Sequence, residues 1–189
     1  MQAVLRELAE KEAHQIYKTG IIRDFPADEI KPWNRICQAM RAGIYRCLGL
    51  FEEEALRGYA FFVFNGKTAL LDYFAILPEY RARGWGSCFL RMLSEWLTPY
   101  TCVLVEADDP DGTEDADELR IRKRRIRFYL GNGLIDTDVR AEVFGVGFVI
   151  LRFPSGTVLT AGTVRESYAA LYRCLLPDEL YQKQVKIKR

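Results

Sequence analysis

The chain has 189 residues, 49% apolar and 28% charged, the composition of one globular domain with room for a buried core. Lys and Arg total 27 against 26 Asp and Glu, so no net field is present to hold nucleic acid or an anionic membrane, and neither is expected as a partner. No apolar run reaches the roughly 18 residues that span a bilayer, and MQAVLRELAEKEAH lacks the apolar stretch of a secretory signal, so a cytoplasmic location is expected.

Residues 2–7 read as a short strand, and AEKEAHQIYKT, with Ala13, Ile16 and Tyr17 on one face, as a first helix. Phe25-Pro26-Ala27-Asp28-Glu29 reads as a turn and helix start, after which Trp33, Ile36, Cys37 and Met40 supply a buried stripe up to Gly43. Strands follow: IYRCLGLF, LRGYAFFVF and TALLDYFAIL are rich in aromatic and β-branched residues, with an acidic turn between the first two and Asn65-Gly66 closing the second pair. Pro78 ends the third of these. From Gly84 to Leu97 the spacing of Phe89, Leu90, Leu93, Trp96 and Leu97 is that of a helix packed on a sheet. TCVLVEA is a further strand, which places Glu106 at a strand end. The acids from Asp108 to Glu118 and the bases from Arg120 to Arg127 then suit the two ends of one solvated helix. Two last strands, Ile135 to Phe144 and Phe148 to Phe153, precede a helix from Val164 to Leu176 and a basic tail, KQVKIKR. Leu171, Leu175 and Leu176 would cover either the sheet or a second subunit in a homodimer.

Cys37, Cys47, Cys88, Cys102 and Cys174 are odd in number and form no C-x-x-C pair, and His14 is the only histidine. Neither a disulfide framework nor a metal site is expected. The thiols read as core residues, since none has the paired base a nucleophile needs, and His14 reads as solvated.

Chemistry concentrates at Arg81-Ala82-Arg83-Gly84-Trp85-Gly86, between an apolar strand and an amphipathic helix. Glycines there let successive backbone N–H groups converge on an anion, the helix N-terminus adds its positive end, and Arg81 and Arg83 add charge. A dinucleotide fingerprint would need a third glycine where Phe89 stands, and a P-loop ending at Gly66-Lys67-Thr68 would need a glycine at Phe61. Both are excluded.

The run instead resembles the R-x-x-G-x-G pyrophosphate element of the GNAT family of N-acetyltransferases. Downstream, Arg127-Phe128-Tyr129-Leu130-Gly131-Asn132-Gly133-Leu134 is similar to that family's helix ending in tyrosine with glycine four residues later. Leu134 stands where the family usually has Phe, and Arg122 where it often has a cofactor-contacting Asn. The resemblance covers residues 1–153.

It implies an α/β (α+β) GNAT fold: a mixed, mostly antiparallel twisted sheet of six to seven strands, flanked by helices and splayed between strands 4 and 5. Residues 1–154 would form the acetyltransferase domain, with 155–189 a helical extension of it. It implies acetyl-CoA (coenzyme A) as cofactor, the diphosphate held by Arg81, Ala82, Arg83, Gly84, Trp85, Gly86 and Ser87. The pantetheine arm would lie along Phe74, Ala75 and Ile76, with Arg122 as a further contact. Tyr129 matches the general acid, its alternative role being core packing. Asp72 and Glu106 are candidate bases, or else solvated strand-end acids. The acceptor pocket corresponds to Asp24–Lys31 and Phe144–Gly147, including Phe25, Asp28, Glu29 and Phe144, and its acids favour a cationic amine. The activity implied is acetyl transfer to a primary amine of a small molecule or peptide; the alternative is an acyl-CoA-binding module without catalysis.

Overall fold

A computed structural model describes residues 3–27 and 29–188. The chain folds as two compact units, one made of residues up to Phe64 with Leu71–Trp96, the other of Asn65–Leu70 with the residues from Leu97 onward.

The first unit carries β1 (Ala3–Glu7), β2 (Tyr45–Glu52), β3 (Ala55–Asn65) as far as Phe64 and β4 (Thr68–Ile76) from Leu71 onward, neighbours in that order. Antiparallel pairing runs from Ala3↔Glu52 to Glu7↔Leu48 and from Tyr45↔Val63 to Glu52↔Ala55, with a bulge at Leu50/Phe51. Residues 58–64 of β3 are buried without alternation, as in a strand covered on both faces. Gly58 is required by close approach, since a Cβ there would lie 2.6 Å from the Ala75 carbonyl oxygen.

The helices on this unit differ from the sequence expectation. Helix α1 (Glu10–Ile16) starts where Glu12 accepts the Ala9 N–H at 2.9 Å, then passes into a π-helix, Tyr17–Ile21, and a single turn, α2 (Ile22–Asp24). Asp28 lies outside the described residues. The expected helix start at 25–29 is not one: α3 (Trp33–Arg41) begins only after Pro32, and Ile36, Cys37 and Ala39 are its buried stripe. Proline disfavours helical geometry at the residue before it, and Lys31 is outside any helix. His14 is not simply solvated, because its ring stacks on Trp33 at 4.5 Å. Beyond β4 come a 3₁₀ turn, Pro78–Tyr80, and α4 (Trp85–Trp96), which buries Trp85, Cys88, Phe89, Leu90 and Leu93.

The second unit orders its strands β5 (Cys102–Asp108), β7 (Val146–Arg152), β6 (Ile135–Val143) and β8 (Val185–Lys188), all antiparallel. Among the described residues β8 is an eighth strand, one beyond the six to seven expected. It pairs Val185 to Lys188 with Val143 to Arg140, so the segment after residue 154 adds a strand as well as helices. Glu106 is not at a strand end, as β5 continues to Asp108. Helix α5 (Ala116–Gly131), capped by Asp115 accepting the Glu118 N–H at 2.8 Å, buries only Tyr129 and is otherwise solvated. Helix α6 (Ala161–Leu175) buries Val164, Tyr168, Ala169, Leu171 and Tyr172 within the chain, and α7 (Asp178–Gln184) leads into β8. The α6 stripe thus covers this unit. Among the described residues no helix is long and apolar enough to cross a membrane.

Candidate functional site

In the first unit β4 delivers the chain into the loop Arg81–Gly84. Ala82 has φ 59° and Gly84 φ 81°, left-handed positions of the kind from which anion nests are built. A Cβ on Gly84 would meet nothing within 4 Å. Its glycine is therefore required by φ and not by space. Helix α4 begins at the next residue, its first hydrogen bond running from the Cys88 N–H to the Gly84 carbonyl at 3.0 Å. The N–H groups before Cys88 thus lack intrahelical acceptors and sit at the positive end of the helix dipole. Arg81, Ala82, Arg83, Gly84 and Ser87 are exposed and Gly86 is half-buried. Trp85 is not: at 5% exposure its side chain belongs to the core, which leaves its backbone N–H as its means of meeting an anion.

Arg81 turns away from the nest. Its Nε donates to the Ile76 carbonyl at 2.9 Å and its Nη2 to Asp24 Oδ1 at 2.9 Å. Asp24, 7% exposed, also accepts from Arg23 and from the Tyr59 hydroxyl at 2.9 Å. Burial pushes the Asp24 carboxyl up, but the hydrogen bonds from Arg23, Tyr59 and Arg81 outweigh it, and the net shift is downward. Burial and the Asp24 charge push the Tyr59 phenol up.

Two residues before the expected pantetheine stretch, Asp72 is 2% exposed. Lys31 Nζ donates to its Oδ1 at 2.6 Å and the Tyr45 hydroxyl to its Oδ2 at 2.5 Å. The neighbouring Tyr73 hydroxyl takes the Lys31 N–H at 2.8 Å and donates to the Glu29 carbonyl at 2.9 Å, while Phe25 meets the Tyr73 ring edge-on at 4.9 Å. The segment holding Phe25, Glu29 and Lys31 is thereby fixed to β2 and β4. Phe74, Ala75 and Ile76 are half-buried, with Phe74 packed at 5.2 Å from Phe89 of α4.

In the second unit Tyr129 occupies the last turn of α5, 6% exposed. Burial, with a smaller push from Asp108 against a pull from Arg125, raises its phenol to about 12. Glu106 of β5 receives two hydroxyls on one oxygen, Oε1, from Tyr168 and, at 2.7 Å, from Tyr172. Arg122 donates to the Asp109 carbonyl at 2.7 Å and to Glu118 at 2.6 Å, so it ties α5 to the segment after β5. Phe144, at φ 51° in the β6–β7 turn and 49% exposed, gives its N–H to the Gln184 carbonyl at 3.0 Å.

No protein-family model matches the sequence, and no curated protein is similar to it. Solved structures are similar. One from Bacteroides thetaiotaomicron, assigned to the GNAT acetyltransferases, superposes with a TM-score of 0.68 at 17% identity, over 91% of this chain and 95% of that one. The ribosomal-protein-S18-alanine N-acetyltransferase of Escherichia coli gives 0.59 at 15% identity, over 84% and 97%. The PaiA N-acetyltransferase of Thermoplasma acidophilum, in complex with coenzyme A, gives 0.53 at 16% identity, over 82% and 100%.

The chain has the GNAT fold.

Within that fold, the first unit groups Phe25 and Glu29 with Tyr73, next to Asp72, and Arg81 with Asp24. The acids of the expected acceptor wall are less available to a cation than the sequence suggests, because Asp24 already faces Arg23 and Arg81, and Asp72 faces Lys31. Tyr45, Tyr73, Tyr168 and Tyr172 were not legible as site residues. The last two carried a signal: tyrosines four apart on the buried stripe of a helix each need an acceptor for a buried hydroxyl.

Proposed function

We propose that this chain is an N-acyltransferase that moves an acetyl group from acetyl-CoA to a primary amine without a covalent enzyme intermediate. The observation that carries it is the loop Arg81–Gly84, where left-handed Ala82 and Gly84 lead into the N-terminus of α4. A diphosphate fits such a cradle of exposed N–H groups and helix dipole. Ala82 to Ser87 would hold it, with Arg83 as the added charge and Arg81 acting through Asp24. The half-buried edge at Phe74, Ala75 and Ile76 would bond the pantetheine arm as an added strand does.

Bound acetyl-CoA would supply an activated acyl thioester. Tyr129, neutral up to about pH 12, keeps a proton on its phenolic oxygen for a departing thiolate. Asp72 is bound by Lys31 on one oxygen and by Tyr45 on the other, and Glu106, held by Tyr168 and Tyr172, would be the base. Asp72 then serves to hold the Phe25–Lys31 segment. Arg122 braces α5, and Phe25 and Glu29 would meet the acceptor.

The test is release of free thiol from acetyl-CoA across a panel of amines, amino acids and peptides. Amine-dependent release, lost in Glu106→Gln, is expected. Coenzyme A binding with no release from any amine would instead mark a binding module.

A further inference from the structure

Arg57, on β3, brackets the glycine loop. Its guanidinium carbon lies 4.1 Å from the centroid of the Tyr80 ring and 5.6 Å from that of Trp85. Tyr80 is the last residue before the loop and Trp85 the first after it, so one cation touches both ends of the segment Arg81–Gly84. The backbone of Arg57 adds a third hold, its carbonyl accepting the Leu77 N–H at 2.9 Å where β4 ends. The side chain is 13% exposed, and Nη2 reaches Glu52 at 3.1 Å. Its Nε is buried with no hydrogen-bond partner among the described residues. A buried, unmatched N–H costs stability, so the bond to Glu52 does not by itself account for where the rest of this guanidinium lies. Contact of a flat, weakly hydrated cation with two aromatic rings does.

We propose that Arg57 is a positioning residue for the anion site: it fixes Tyr80 and Trp85 and thereby holds the left-handed geometry at Ala82 and Gly84 that aims the loop N–H groups at a diphosphate. This rests on the cofactor reading above. In this role Arg57 acts through Tyr80 and Trp85 alone. Its effect should therefore fall on the diphosphate part of the cofactor and not on the pantetheine part.

The experiment is titration calorimetry of the parent, Arg57→Met and Arg57→Lys with coenzyme A, with pantetheine and inorganic pyrophosphate measured in competition against it. Arg57→Met should weaken coenzyme A and pyrophosphate by about 10- to 100-fold, the worth of one charge-assisted hydrogen bond, and leave pantetheine unchanged. Arg57→Lys keeps the charge but not the plane and should fall between, which serves if Arg57→Met does not fold. Unaltered coenzyme A binding by a folded variant, or equal losses for pyrophosphate and pantetheine, would overturn the role of Arg57 while leaving the cofactor reading intact. A parent that binds no coenzyme A would overturn both.

Discussion

Arg81 Nη2 donates to Asp24 Oδ1 at 2.9 Å, tying the first residue of the glycine loop to the end of α2, next to the segment that would wall an acceptor. The same Asp24 holds Arg23 and the Tyr59 hydroxyl. Burial works against the charge of Asp24 and the three donors more than offset it, so its folded carboxyl titrates below its ordinary value of 3.8. Such a group stabilises fully above the unfolded value and loses its contribution as pH falls through the folded one. Asp24→Asn should cost about 2–3 kcal/mol at neutral pH, as loss of hydrogen bonds to a charged group does. The gap between parent and variant should close as pH drops below 3.8, and thermal unfolding of both across that range is the check. A gap that stays constant down to about pH 2 would contradict the charged, hydrogen-bonded Asp24 described here.

Tyr129→Phe keeps the buried ring and removes the hydroxyl. As a proton donor to a thiolate, a good leaving group, the hydroxyl should be worth about 10²-fold in turnover, the low end for general acid catalysis, with coenzyme A affinity unmoved. As a packing group it would instead cost about 0.5–1.5 kcal/mol of stability, with turnover per folded molecule intact. Steady-state kinetics and thermal unfolding on one preparation separate the two.

The Lys31–Asp72 pair, with Asp72 at 2% exposure and Lys31 at 28%, should be coupled in stability. Lys31→Met leaves a buried carboxylate without its cation and should cost about 3 kcal/mol, the low end for breaking a buried pair. Adding Asp72→Asn should recover part of that, a non-additivity that chemical denaturation of the single and double variants measures. Strictly additive losses would mean that the two do not interact in solution.

What the sequence displays follows from how local each feature is. The glycine loop was legible because the left-handed φ at Gly84 and the stripe Phe89, Leu90, Leu93 are local. Strand β8 was not, because Val185 to Lys188 is four residues long, too short to show a period, and its partner β6 is remote in sequence. The π-helix Tyr17–Ile21 directly continues the helical run of α1, and five residues are too few to show a different period. The acids near residue 28 resembled a helix start, yet Pro32 delays α3 to Trp33. Least visible were the partners of the candidate bases: Lys31 lies 41 residues from Asp72, and Tyr168 and Tyr172 lie 62 and 66 residues from Glu106. A carboxylate read alone looks solvated. Only the folded chain supplies its donors.

The Arg81–Gly84 loop is the proposed seat of the coenzyme A diphosphate. Titration calorimetry of the parent and of Gly84→Val with coenzyme A, in the presence of a metal chelator, tests it most directly. A β-branched residue is a conformational outlier at φ 81°, although open space around Gly84 should let the variant fold. Saturable binding by the parent without metal is expected, and none by a folded Gly84→Val chain. Absence of binding by the parent, or undiminished binding by the folded variant, would contradict it.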